Sequence, residues 1–112
     1  MNLITQTNDD QLTVTVDDPR IDAAVAIQFK DRMRALTALG PNRILLDLHK
    51  VDFIDSSGLG AIVAAMKQLD DHQRLDLSGL TPNVEKVFRL TRMDTIFAIY
   101  PDVPTALARR AG

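Results

Sequence analysis

An acid, two hydroxyls and two glycines stand together in DSSGLG, Asp55–Gly60, and an apolar run follows at once. Residues of these types could act as a catalytic nucleophile, a phosphate cradle, a helix cap or an acceptor for a modifying enzyme. A hydrolase elbow of the form G-x-S-x-G fits poorly. Two positions before Ser56 lies Ile54, bulky where a strained turn wants a small residue, and Ser57 is flanked at that spacing by Asp55 and Leu59. The only histidines, His49 and His72, lie before the motif and in a charged turn, and both read as surface residues. Gly58 and Gly60 supply two glycines of a G-x-G-x-x-G pattern, but position 63 is Val and no P-loop occurs. Asp47, Asp52 and Asp55 are close enough to imitate an aspartyl-phosphate site, yet the "MDTIFAIYP" segment carries no lysine to complete one. The bland assignments are that Asp47 satisfies loop backbone, Asp52 faces solvent and Asp55 caps a helix.

A cap explains "DS" but not the glycines. Each glycine inside a first turn is unfavourable by roughly 0.5–1 kcal/mol relative to alanine. Gly60, Ala61, Ala64 and Ala65 extend the small-residue character along the helix. Small side chains there permit close approach of something, either another protein or a neighbouring element of the same chain.

The elements that position this motif follow from periodicity. Leu3–Thr7 and Gln11–Val16, rich in Thr, Val and Ile, predict a β-hairpin around a turn at Asn8–Asp10. Asp17–Pro19 breaks the strand. A helix is predicted over Asp22–Leu39, capped by Asp22, with Ala23, Ile27, Met33 and Leu36 on its inner face and Ala24 and Phe29 at the margins; Gly40-Pro41 stops it. The apolar start of Arg43–Ile54 reads as a strand covered on both faces. The motif helix runs from about Ser57 to Leu69, with Leu59, Ile62, Val63, Met66 and Leu69 as its stripe. A strand at Arg74–Leu80 and a helix opened by Thr81 as cap and Pro82 as first residue come next, the latter with Val84, Val87, Phe88 and Thr91 at helical spacing. A short strand at Ile96–Ile99 and a last helix at Pro101–Arg110 complete the chain. The order β-β-α-β-α-β-α-β-α implies an α/β fold with a largely parallel sheet, an N-terminal antiparallel hairpin and about four helices, in one domain over residues 1–112.

Composition narrows the function classes. With no cysteine there are no disulfides and no thiolate metal sites. Thirteen basic and 15 acidic side chains leave a formal charge of −2, which speaks against direct nucleic-acid binding. Four Phe, one Tyr and no Trp make a base-stacking or sugar platform a poor fit, and the core is expected to be aliphatic. No apolar stretch is long enough to span a bilayer and no signal segment opens the chain, so a cytoplasmic protein without membrane insertion is expected.

"ILLDLHKVDFIDSSGLGAIVAAMKQL" closely resembles the signature of the STAS family of anti-sigma factor antagonists. "LDLSGLTPNVEKVFRLTRMDTIFAIYPDVPTALA" resembles the remainder of that domain, and "RIDAAVAIQFKDRM" its first helix. Two turns depart from the pattern. "DDPRID" lacks the glycine common before the first helix, and "DDHQR" lacks the Gly-Gly or Gly-Arg common after the second.

The resemblance implies partner switching. An unphosphorylated antagonist binds an anti-sigma factor that is also a serine kinase, and so frees a sigma factor. Phosphorylation of the first serine of the motif releases the complex, and a serine phosphatase resets it. Carried onto this chain, the acceptor is Ser56. Asp55 orients the loop, and Ser57, Gly58, Leu59, Gly60, Ala61 and Ala64 shape the docking surface with it, while Ser57 itself is expected to engage backbone. The kinase supplies ATP and Mg²⁺, so the chain is expected to be no enzyme, to carry no cofactor or metal, and to be a monomer or weak dimer. Two alternatives remain: a STAS scaffold in a sensory, chemotaxis-like or lipid-transport complex, and a small nucleotide-binding protein.

Overall fold

The fold is seen in a computed structural model that describes residues 1–109. In chain order it comprises β1 (Leu3–Asn8), β2 (Gln11–Val16), β3 (Arg20–Ile21), α1 (Ala26–Thr37), β4 (Arg43–Asp47), β5 (Phe53–Ile54), α2 (Ser56–Lys67), β6 (Arg74–Ser78), α3 (Pro82–Leu90), a 3₁₀ turn (Met93–Thr95), β7 (Ile99–Tyr100) and α4 (Val103–Arg109). The main sheet has the order β1-β2-β4-β6-β7. Its hairpin is antiparallel, with Leu3 opposite Val16, and every later pairing is parallel. Asp9 turns the hairpin at φ 51°, a conformation that a short polar side chain tolerates. The expected α/β architecture is present. Among the described residues no helix is long and apolar enough to cross a membrane.

Period-two alternation sorts the strands into two faces. Leu12, Val14, Val16, Ile44, Leu46, Leu75 and Leu77 join the main core with Phe29 and Met33 of α1, Ile62 and Ala65 of α2, and Val84 and Phe88 of α3. The alternate residues Thr13, Leu45, Asp47, Asp76 and Ser78 are buried as well. They belong to the opposite face, over which α4 contacts β4 and β7. The centre of the sheet is thus covered twice, which is why Arg43–Asp47 reads as a continuous apolar run rather than an alternating one.

Several expectations need correction. The first helix begins at Ala26, not Asp22. Asp22 instead closes a turn: its Oδ1 accepts from the Ala24 N–H at 3.1 Å and its carbonyl from the Val25 N–H at 3.1 Å. The inner face of α1 is Phe29, Met33 and Thr37, whereas Ile27 is 71% exposed. Phe29 is the largest side chain of the helix. Seating it in the core rotates Ile27, two residues earlier, outward. The strand expected at Ile96–Ile99 is confined to Ile99–Tyr100, because Phe97 turns inward to meet Phe88 edge-on at 6.1 Å. The motif helix ends at Lys67, and Thr81 caps α3 by position only, since its hydroxyl donates to the Val51 carbonyl at 2.7 Å. The last helix starts at Val103; its expected end, Arg110, lies outside the described residues. β3 and β5 form a separate two-stranded parallel sheet that periodicity did not reveal.

The orientation of α1 is directly testable. Phe29→Ala should lower unfolding stability by about 3–5 kcal/mol, while Ile27→Ala should stay within about 0.5 kcal/mol of wild type in urea titrations. Comparable losses from both would mean that the helix is rotated from this position.

Candidate functional site at the start of the second helix

The site is built on the little β3–β5 sheet. Arg20 pairs with Phe53 and Ile21 with Ile54, and the chain then enters α2 directly. Asp55 is the N-cap, in extended backbone at φ −104°. Its Oδ1 accepts from the Gly58 N–H at 2.9 Å, three residues on, satisfying one of the helix's orphan donors. Its Oδ2 accepts from the Ala23 N–H at 3.1 Å, in the turn before α1. One carboxylate therefore ties the start of α2 to the entry of α1. The Gly58 N–H, helped by that of Ala23, holds the Asp55 carboxyl below the usual carboxylate range.

The two glycines have different causes. A Cβ on Gly58 would lie 2.0 Å from the Ile21 carbonyl oxygen, inside backbone that cannot step aside. Gly58 is buried, and its smallness lets α2 abut β3. A Cβ on Gly60 would meet nothing within 4 Å. Gly60 is exposed, and the fold makes no use of its missing side chain. The choice that composition left open, neighbouring element or outside partner, is decided at Gly58 in favour of the neighbouring element.

The remaining motif residues divide in the same way. Ser56 is exposed at the first position of α2. Ser57 is exposed too, and no described residue partners its hydroxyl, contrary to the expected engagement with backbone. Leu59 is half-buried and packs on the core. Ala61 is 6% exposed and Ala65 2%, so these two serve chiefly to pack α2 inward. Ala64 is half-buried. Ser57, Gly60, Ala61 and Ala64 line one side of a shallow groove, and Ala26, Ile27 and Lys30 of α1 line the other. The α1 wall was missed from sequence because Ile27 fitted the apolar period of the helix. Nearby, the Arg20 guanidinium sits 4.3 Å over the Phe53 ring, which is 41% exposed. Asp22 also pairs with Arg20, at 3.1 Å.

His49 is elsewhere. Its Nδ1 meets Asp47 Oδ2 at 2.7 Å, and it lines a different cavity with Gly79 and Asp102. Asp47 accepts from the His49 N–H at 3.3 Å, in keeping with its assignment to loop backbone, and Asp52 is exposed.

Residues 2–106 match the STAS domain family. This chain belongs to the STAS family. BtrV of Bordetella bronchiseptica is 34% identical over 80 residues, 70% of this chain and 69% of its own length. The anti-sigma-B factor antagonist of Listeria monocytogenes is 32% identical over 80 residues, 70% of each chain. An anti-sigma factor antagonist from Mycobacterium paratuberculosis superposes with a TM-score of 0.86 at 25% identity, covering 96% of this chain and 91% of its own. The match agrees with the architecture.

Two measurements probe the site. Gly58→Ala should cost about 1–3 kcal/mol by forcing Ile21 and α2 apart, whereas Gly60→Ala should gain about 0.5–1 kcal/mol of helix propensity. Thermal and urea melts of the pair would show opposite signs; equal signs would contradict this placement of the glycines. The Asp55 pKa is lower folded than unfolded, where it is about 3.9. Its contribution is therefore complete above that unfolded value and is lost as pH falls through the folded one. Asp55→Asn keeps a capping oxygen but should flatten this part of the acid-unfolding curve. An unchanged slope below about pH 4 would show that the carboxylate is not held as described.

Proposed function

We propose that this STAS protein is an anti-sigma factor antagonist that docks through the α1–α2 groove and is switched by phosphorylation of Ser56. The observation that carries the reading is the joint exposure of Ser56 and Gly60 beside an open groove, in a helix start otherwise packed tightly against the fold. Both serines are exposed, so exposure alone does not choose between them. The choice of Ser56 rests on its place as the first serine after the capping acid in the family motif. The Bacillus protein SpoIIAA, solved in unphosphorylated and phosphorylated forms, shares the fold at TM-scores of 0.80 and 0.71, with 19% and 17% identity.

In this reading the partner is an anti-sigma factor with serine-kinase activity, acting in the cytoplasm. It supplies ATP, Mg²⁺ and the base that takes the Ser56 hydroxyl proton. Asp55, Ser56, Ser57, Gly60 and Ala64 meet it directly. Gly58, Leu59 and Ala61 act from beneath, by setting the height of α2. The α1 wall adds Ile27 as an apolar contact and Lys30 as a charged one. A phosphate at Ser56 brings about −1.5 to −2 charges to the amino end of a helix, whose dipole and free N–H groups tolerate an anion. The free protein thus stays folded. Against a docked partner the same charge must give up its water, and the complex separates. A serine phosphatase then restores the binding form.

Ser56→Asp should change folding stability by no more than about 1 kcal/mol, because aspartate is a good residue near a helix start. It should weaken partner binding by more than about a hundredfold, the equivalent of several kcal/mol for a buried unpaired charge. Ser56→Ala should bind and resist release by ATP. Calorimetry of both variants against the purified kinase decides the matter; Ser56→Asp binding within about threefold of wild type would exclude charge at this position as the switch.

A further inference from the structure

A second site lies at the other end of the strands. Arg43 opens β4 and Arg74 opens β6, and the two are register partners in the parallel sheet. Residues two apart on a strand share a face, so Arg74, Asp76 and Ser78 project to the side covered by α4. Asp76, only 4% exposed, receives both guanidiniums: Arg74 Nε lies 2.9 Å from its Oδ1 and Arg43 Nη2 lies 3.7 Å from its Oδ2. Arg109, in the last turn of α4, comes to the same place. Together with Asn42, His72 and Tyr100 these arginines line a cavity of about 520 Å³, a size that suits a small-molecule site.

The charge of this cavity is unusual for the chain. Three guanidiniums line the cavity and two of them share one buried carboxylate, leaving an excess of two positive charges among these four groups in a protein whose formal charge is −2. Asp76 accepts one hydrogen bond from Arg74, through Nε, and pairs with Arg43 only at 3.7 Å, so both guanidiniums keep further donors for a ligand. Arg109 has no ion-pair partner among the described residues and is exposed. Asp76 therefore holds two forks in place while satisfying only part of their charge. That arrangement is pre-organised for an anion with several oxygens.

We propose that this cavity is an anion site for a phosphate-bearing ligand, formed by Arg43, Arg74 and Arg109. A phosphate monoester carries about −1.5 to −2 charges near neutral pH, which matches the uncompensated positive charge. Tyr100 and Asn42 provide neutral hydrogen-bonding groups at the wall. The site is independent of the partner-switch reading, since Ser56 follows the carboxyl end of the β3–β5 pair while this cavity opens at the amino ends of β4 and β6. A bound anion would clamp the end of α4 to the sheet.

The test uses the whole chain at fixed ionic strength, with inorganic phosphate and pyrophosphate as soluble probes. Vesicles of phosphatidylcholine containing phosphatidic acid present the same group as a lipid headgroup. Amide shifts are followed by NMR, and vesicle retention by sedimentation. Saturable shifts centred on Asn42, Arg74 and Tyr100 are expected with a soluble probe, or retention on the vesicles if the ligand is a lipid. Arg109→Gln removes no ion pair among the described residues and should weaken either response at least about tenfold, as loss of a hydrogen bond to a charged group does. Lys86→Gln, the same charge change on the exposed face of α3, should leave it within about twofold, since a screened exposed charge acts weakly at a distance. Absence of saturable binding to all probes, or equal losses in the two variants, would overturn the proposal.

Discussion

Two segments of backbone meet at the head of α2 more closely than any side chain beyond hydrogen would allow. Gly58 faces the Ile21 carbonyl, and Asp55 reaches across the same junction to the Ala23 N–H. This contact joins the small sheet of β3 and β5, separate from the main sheet, to α2. It also fixes how high α2 stands, and hence how deep the groove beside α1 is. A bulkier residue at position 58 would lift the helix and move Ser56, Gly60 and Ala64 together.

The sheet supplies the frame for that junction. Its central strands, β4 and β6, are buried on both faces. Thr81 adds to this by binding the Val51 carbonyl, so the start of α3 braces the loop that leads into β5. On the proposed reading, a partner would read this braced shape, and one added charge would alter its affinity through electrostatics rather than by ordering a loop.

The two ends of the domain differ in electrostatic character. At the head of α2 one carboxylate accepts from the Gly58 and Ala23 N–H groups, beside an exposed surface of hydroxyls, small side chains and apolar groups. At the amino ends of β4 and β6 one buried carboxylate is outnumbered by arginines. The small formal charge of the chain conceals this separation, since net charge sums over space and recognition does not.

What the sequence by itself determined was local. The α/β order, the hairpin and the capped start of α2 all arise from contacts within a few residues: alternation along a strand, a side chain bonding an N–H three positions ahead, a proline at a first helical position. The DSSGLG element was legible for the same reason, and so was its likeness to the STAS family. What only the tertiary structure decided was non-local. Whether Gly58 or Gly60 serves the interior depends on Ile21, far back in the chain. Whether Ile27 or Phe29 faces the core depends on which side chain the assembled sheet can accept, because helical periodicity fixes spacing and not rotation. β3 and β5, two residues each, are too short to leave a period. The meeting of Arg43, Arg74 and Arg109 spans most of the sequence, and neither spacing nor composition encodes it. Parallel strand register brings the first two together, and the return of α4 across the sheet brings the third.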